Sequence, residues 1–203
     1  MSVIIQQTII LVAMKEYFKF LDVDSFDYPL VKQQLLKSLS PLYGDQSSAI
    51  HKLEKNKDRI CELYYENEVI RGLIIFKNHL RYEYAEYGIV NGFEEKTTLP
   101  IIFEDEVNRR RSLRFTTMLK LLNRASDHAI AMNAQSFFGT VSGEKNGTLR
   151  LLFRLGFEEV AKFHNKFKSG VTEHLIVHKN IGMLYELTKV EPKRIYVGSV
   201  PPE

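Results

Sequence analysis

Tryptophan is absent from this 203-residue chain, cysteine occurs once and proline six times. The single cysteine, Cys61, excludes an intramolecular disulfide and any site built on paired thiolates, so a reducing, cytoplasmic setting is the simplest expectation. Within the apolar alternating run that contains it, Cys61 reads as a small buried hydrophobe. Of the six histidines only His174 and His178 are closely spaced. On a strand they share a face, but no further ligands accompany them, and no metal site is expected. A long apolar run is lacking too. Val3–Met14 is interrupted by Gln6, Gln7 and Thr8 and falls short of the roughly 20 apolar residues that a membrane helix needs. It carries neither the positive start nor the small-residue cleavage site of a signal peptide, so it reads as a first strand or buried helix, and no membrane partner is expected. Charge of one sign is also scarce. A formal net charge of +3 disfavours a nucleic-acid partner, which needs a concentrated basic face.

What is present is ordinary globular material, 44% hydrophobic and 26% charged, long enough for one substantial core. Thr8–Met14 is β-rich, with a helical continuation into Lys15–Leu21 as the other reading. After an Asp-rich break, Pro29 opens a helix whose apolar positions are Leu30, Val31, Leu35 and Leu39, closed by Pro41 and Gly44. Ser47–Lys57 reads as a short second helix. The period then changes: Arg59–Glu66 and Val69–Lys77 are β-branched and aromatic runs around Asn67-Glu68, a hairpin signal. Arg81–Val90 is tyrosine-rich, and Leu99–Val107 reads as another strand. From Thr116 to Met132 the residues Met118, Leu119, Leu122, Ala125, Ala129 and Met132 fall on one helical face. Ser136–Ser142 is a strand, Thr148–Leu155 a helix stopped by Gly156, and Glu158–Phe167 with Thr172–His178 a closing hairpin. Strand–helix alternation in the second half implies a partly parallel, mixed sheet with helices on both faces, an α/β fold in one domain.

The order of these elements, with Leu121-Leu122-Asn123-Arg124-Ala125, Phe138-Gly139-Thr140-Val141-Ser142 and Leu151-Leu152-Phe153-Arg154-Leu155-Gly156-Phe157, resembles the GNAT (Gcn5-related N-acetyltransferase) superfamily, of which this would be a divergent member. The resemblance implies a GNAT-like domain over residues 1–180 and a C-terminal extension, residues 181–203, packed on it or trailing from it. It implies transfer of an acyl group, acetyl from acetyl-CoA as co-substrate, to a primary amine of a small molecule or protein, and it leaves room for a homodimer. In that family the pyrophosphate sits on backbone N–H groups of a Gly-rich loop that opens the long helix, where unpaired donors and positive potential coincide. Here that place is held by Asn108-Arg109-Arg110-Arg111-Ser112-Leu113-Arg114-Phe115-Thr116-Thr117, without the glycines. The cofactor-binding positions so implied are Val107, Arg111, Ser112, Leu113, Arg114, Phe115, Thr116 and Thr117, with Asn146 and Phe153 from the later helix. Arginine side chains could hold phosphates in place of the glycine backbone.

The tyrosine that many family members use to protonate the leaving thiolate is replaced by Leu152 or Phe153, depending on register, and neither gives a proton. Glu104 and Glu106 share a strand face and stand where some members place a catalytic glutamate, so they are the candidate bases. Two functions compete: an active N-acyltransferase, with Tyr82–Tyr87 and the first helices beside the acceptor, and a catalytically degenerate domain that binds a ligand or partner through the same cleft.

Overall fold

The computed structural model describes residues 15–55, 59–77, 94–97, 101–102, 111–131, 134, 136–166 and 168–190. Its first strand, β1 (Glu16–Phe20), occupies the stretch that allowed a helical reading; Thr8–Met14 lies outside the described residues. Helix α1 (Tyr28–Tyr43) passes through Pro41, and it is Gly44, at φ 72°, that turns the chain out. A proline in the last turn removes one hydrogen bond without preventing the Gly44 N–H from reaching Ser40 O at 2.9 Å. Helix α2 (Ser47–Glu54) follows, and then the hairpin of β2 (Arg59–Glu66) and β3 (Val69–Lys77) with the expected bounds. Asn67 and Glu68 both have positive φ, the backbone of a tight hairpin turn whose twist matches its strands.

Two short strands, β4 (Glu94–Thr97) and β5 (Ile101–Ile102), lie against β3. Then come α3 (Arg111–Ala131), β6 (Ser136–Ser142), α4 (Asn146–Arg154), β7 (Glu158–His164), β8 (Thr172–His178) and α5 (Ile181–Thr188). The strand order is β1-β2-β3-β4-β6-β8-β7, with β5 off this path on β3. All pairs are antiparallel except β4 with β6, joined by the α3 crossover. Arg81–Val90 and most of Leu99–Val107 lie outside the described residues.

Strand alternation divides the side chains between two faces. Under α3, α4 and α5 one core runs from Tyr64 and Ile74 across to Phe137, Val141 and Ile176, capped by Leu121, Leu122, Ala125 and Ala129 of α3 and by Ile181 and Leu184 of α5. On the opposite face the described apolar residues fall into two clusters. One joins Val31, Leu35, Ile50 and Leu53 of α1 and α2 to Cys61, Leu63, Leu73 and Ile75. The other holds Phe138, Phe163, Leu175 and Val177. Cys61 belongs to the first; burial pushes its thiol up to about 12, so it packs as a hydrophobe and carries no thiolate at neutral pH.

Polar clamps fix the helices on this frame. Arg124 of α3 donates to both oxygens of the buried Glu62 carboxylate at 2.6 Å each, and its guanidinium lies over the Phe18 ring. Asn123 Nδ2 donates to Tyr185 O at 2.8 Å, meeting a carbonyl of α5. His178 is buried with both ring nitrogens engaged: Nε2 lies 2.9 Å from Leu155 O, and Nδ1 accepts from the Asn180 N–H. A carbonyl needs a donor and an N–H needs an acceptor, so the ring is the neutral Nε2–H tautomer. His174, on the same strand face, bonds Glu159 instead. Among the described residues no group of three or more metal-ligating side chains comes together.

Two expectations follow from the Gly156–His178 contact. Gly156 has φ 91°, and a Cβ there would stand 2.9 Å from His178 Nε2. Gly156→Ala should therefore destabilise by about 1–3 kcal/mol from backbone strain alone, and by more with the clash, read as a lower midpoint in urea. Burial lowers the affinity of His178 and of His128 for protons below the usual histidine range. Unfolding lets both bind protons, so stability is full above about pH 6.5 and is lost as pH falls below it, by up to about 1.4 kcal/mol per pH unit for each histidine. Urea midpoints at pH 7.5 and 5.5 measure this, and His178→Gln should flatten the difference.

Candidate functional site

Among the described residues strands β4 and β6 pair over three positions, Glu94 facing Ser136, Glu95 facing Phe137 and Lys96 facing Phe138. Among the described residues no further pair joins them. Ile101 and Ile102 stay with Leu73 and Gly72 of β3, while Gly139–Ser142 stay with Glu173–Ile176 of β8. Along Gly139–Ser142, β6 thus has no partner on its β4 side among the described residues, and its backbone donors and acceptors face a gap in the middle of the sheet. The register carries a local cause. From Phe76 to Leu73 is three residues on β3, but the residues facing them, Thr97 and Ile101, are four apart. Pro100, with no N–H for a ladder, falls in that interval.

Helix α3 crosses this gap, touching β3, β5 and β6. It begins at Arg111, five residues before the Thr116 start that the apolar period gave. The basic stretch from Arg111 to Thr117 is therefore not loop but the first two turns of the helix. The reason is compositional: without the family's glycines, nothing in Arg111-Ser112-Leu113-Arg114-Phe115 stops a helix from extending. No acidic residue stands in the first turn, so the positive end of a 21-residue helix is not neutralised by its own side chains. Of the implied binding residues, Arg111, Ser112, Leu113 and Arg114 supply that turn's backbone. Phe115 is exposed, Thr116 half-buried and Thr117 buried.

Asn146 is the exposed first residue of α4, and Phe153 is exposed near its end; Leu152 is fully buried. Leu152 thus serves the core, and of the two candidates for the missing tyrosine's place only Phe153 reaches solvent. Glu104, Glu106 and Val107, with Asn108, Arg109 and Arg110, lie outside the described residues, as do Tyr82–Tyr87.

One polar group was not singled out by motif. Glu173 is 3% exposed. It lies opposite Ser142 on the β8 face that bears Leu175 and Val177, which is the face divided into two apolar clusters. Tyr43, the last residue of α1, donates its hydroxyl to Glu173 Oε1 at 2.9 Å. Burial raises the Glu173 carboxyl above the usual carboxylate range, against the opposing influence of the Tyr43 and Thr140 hydroxyls. Burial and the facing carboxylate raise the Tyr43 phenol likewise. Gly143 holds this corner together. Its N–H donates to Thr172 O at 2.7 Å, and a Cβ would stand 2.9 Å from that same oxygen. Strand alternation alone would place Glu173 beside Leu175, but Tyr43 is 130 residues away in sequence and carries no local signal.

A separate cleft of about 210 Å³ between β1, α3 and α5 is lined by Glu16, Tyr64, Lys120 and Asn123 among others. There Lys120 bonds both Glu16 and Tyr64, and Asn123 bonds Tyr185, so its polar groups are engaged in holding α3 and α5.

No protein-family model matches the sequence, and no curated protein matches it. Solved structures do. NAA60 of Arabidopsis thaliana in complex with acetyl-CoA superposes with a TM-score of 0.61 at 15% identity, over 81% of this chain and 98% of that one. A GNAT family acetyltransferase from Elizabethkingia anophelis with acetyl-CoA bound gives 0.56 at 14% identity, over 81% and 97%. A spermidine N-acetyltransferase from Vibrio cholerae gives 0.57 at 12% identity, over 85% and 98%. At these identities the likeness shows the fold: this chain has the GNAT acetyltransferase fold.

Proposed function

We propose that the protein is an N-acyltransferase that binds acetyl-CoA in the gap between β5 and β6 and transfers the acetyl group to a primary amine. The short pairing of β4 with β6 among the described residues, with α3 packed on β3, β5 and β6, carries this reading. Among the described residues Gly139–Ser142 have no partner on the β4 side, and such a strand edge together with a helix N-terminus suits a ligand with an extended, amide-bearing arm and a phosphate head. The first turn, Arg111–Arg114, would hold the pyrophosphate through its N–H groups, and the two arginines would add charge that the absent glycines never supplied. Phe115–Thr117, Val107, Asn146 and Phe153 complete the proposed cofactor wall. When bound, acetyl-CoA supplies an activated thioester; the protein's part is to orient it, exclude water and manage the acceptor's proton.

Glu104 and Glu106 are the proposed bases for that proton. With Leu152 buried and Phe153 unable to give a proton, the departing thiolate would be protonated from water. A cytoplasmic setting fits the buried, unpaired Cys61. Among the described residues no helix is long and apolar enough to cross a membrane.

Calorimetric titration with acetyl-CoA tests the reading. Saturable binding is expected, and Arg111→Ala or Arg114→Ala should weaken it about tenfold each, the value of one charged hydrogen bond. Absence of binding at millimolar acetyl-CoA would refute it. If acetylation of amines is then measured by release of free thiol, Glu104→Gln or Glu106→Gln should lower kcat by roughly 10²-fold or more while leaving acetyl-CoA affinity unchanged. Binding without turnover on any amine would favour the degenerate ligand-binding domain that Leu152 and Phe153 also suit.

A further inference from the structure

Strand β1 stands at the end of the strand order, with β2 as its neighbour on one side. Two bonds fix which of its backbone groups are left over. The Leu21 N–H donates to Cys61 O at 2.8 Å, and the Asn67 N–H donates to Lys15 O at 2.9 Å. In an antiparallel ladder bonded and non-bonded pairs alternate, so Lys15, Tyr17, Lys19 and Leu21 turn their backbone toward β2. Glu16, Phe18 and Phe20 turn theirs outward, and no described residue pairs with those N–H and C=O groups. Such an edge invites another strand unless a proline or a bulge spoils it. Strand β1 has neither, and its register with β2 is unbroken from Glu16 to Phe20. Of the lysines that could guard it, Lys15 is held by Glu68, and Lys19 stands on the other face from Glu16, Phe18 and Phe20.

The surface beside that edge is shaped for side chains. Phe18 packs into the core beneath α3 and Glu16 bonds Lys120 of that helix, whereas Tyr17 and Leu21 pack with the cluster under α1. Glu16, Phe18 and Phe20 thus share the α3 face. On this face lies the cleft of about 210 Å³ between β1, α3 and the end of α5, with Phe18, Tyr64 and Val190 in its wall. Its polar groups bond one another, Lys120 to Glu16 and Tyr64 and Asn123 to Thr188, so apolar contact is what it has left to offer. A side chain on the same face of an added strand would stand about 4.8 Å beyond Phe18, over the cleft. Further along, Phe20 is 60% exposed and Phe26, in the turn that follows, is 99% exposed, apolar surface that the described chain leaves uncovered. Beside them the Asp22 and Asp24 carboxylates are exposed, and no lysine or arginine pairs with either among the described residues.

We propose that the outer edge of β1 is a docking site for an extended segment of a partner protein, one that alternates aliphatic with polar residues and carries lysine or arginine at the end beside Asp22 and Asp24. The segment adds as a strand. Its backbone takes the outward N–H and C=O groups of Glu16, Phe18 and Phe20, and its aliphatic residues face α3, one over the cleft and the next over Phe20. Main-chain bonds supply the affinity, and the cleft selects the side chain. The two carboxylates select for a basic flank and against an acidic one. The inference does not rest on the acyltransferase reading, since none of these residues belongs to the proposed acetyl-CoA wall or to the proposed bases.

The test is fluorescence anisotropy on the whole chain with a labelled peptide of alternating leucine and threonine, flanked by paired lysines. Saturable binding is expected. The same peptide with alanine for leucine should bind roughly tenfold more weakly, through lost burial in the cleft. A peptide methylated on the backbone nitrogens that face β1 should show no binding. In the protein, Phe20→Pro removes an outward N–H and leaves the β1–β2 bonds intact. Its urea midpoint should stay near that of the wild type while peptide affinity falls about tenfold. Absence of binding, equal binding of the methylated peptide, or unchanged affinity in Phe20→Pro overturns the proposal. Should Phe20→Pro fail to fold, its N–H belongs to the β2 ladder and the assignment of the open edge is refuted. Other occupants would declare themselves. A wild type that sediments as a dimer, and as a monomer after Phe20→Pro, gives the edge to a second copy. Peptide affinity that rises about tenfold in Ile195→Asp gives it to this chain's own last residues. Either result overturns the partner reading.

Discussion

The structure depends on the apolar layer beneath α3. Among the described residues the central strands β4 and β6 share only three paired positions, so the ladder between the two halves of the sheet is short and burial helps to hold them together. Here Tyr64 and Ile74 of one half and Phe137, Val141 and Ile176 of the other pack under a single helix stripe of Leu121, Leu122, Ala125 and Ala129. Non-directional burial substitutes for the missing ladder. On the opposite face the described apolar residues form two clusters, one on each half of the sheet. The bidentate Arg124–Glu62 pair then fixes how α3 sits on the half to which Glu62 belongs.

Much of this frame was legible in the chain. The hairpin bounds around Asn67-Glu68, both ends of Ser136–Ser142 and of Thr172–His178, and the Gly156 stop all follow from local chemistry: alternation, turn residues and a glycine where φ is positive. What escaped was non-local or lacked punctuation. The start of α3 has no capping residue or glycine to mark it, so the apolar stripe beginning at Met118 was the first readable signal, although the backbone coils from Arg111. Strand β1 is hard to read from its own segment because Glu16–Phe20 packs through tyrosine and phenylalanine against β2. Tyr17 stacks on Tyr65 at 4.8 Å and Phe18 lies 5.3 Å from Tyr64, and cross-strand aromatic pairs leave no trace in a single segment.

The candidate site divides in the same way. Motif position pointed to the opening of α3 and to α4, because family resemblance travels with local sequence. Glu173 and Tyr43 were invisible to it. Each is an unremarkable residue in its own element, and their hydrogen bond forms only when the fold brings α1 and β8 together. Leu152 shows the converse. Its place in a motif suggested chemistry, yet its side chain is wholly buried, so packing alone accounts for it.

The position of β8 between β6 and β7 has a consequence for biosynthesis. As the chain leaves the ribosome, β6 and β7 emerge first, and neither can pair with the other; each waits for a strand made later. Until residues 172–178 are free, β6 lacks its β8 partner along Gly139–Ser142. The nascent domain is thus most vulnerable to self-association late in synthesis, and its completion is a single event, the threading of the last strand into a slot already flanked. A stop codon before residue 172 would remove not a border of the sheet but its keystone.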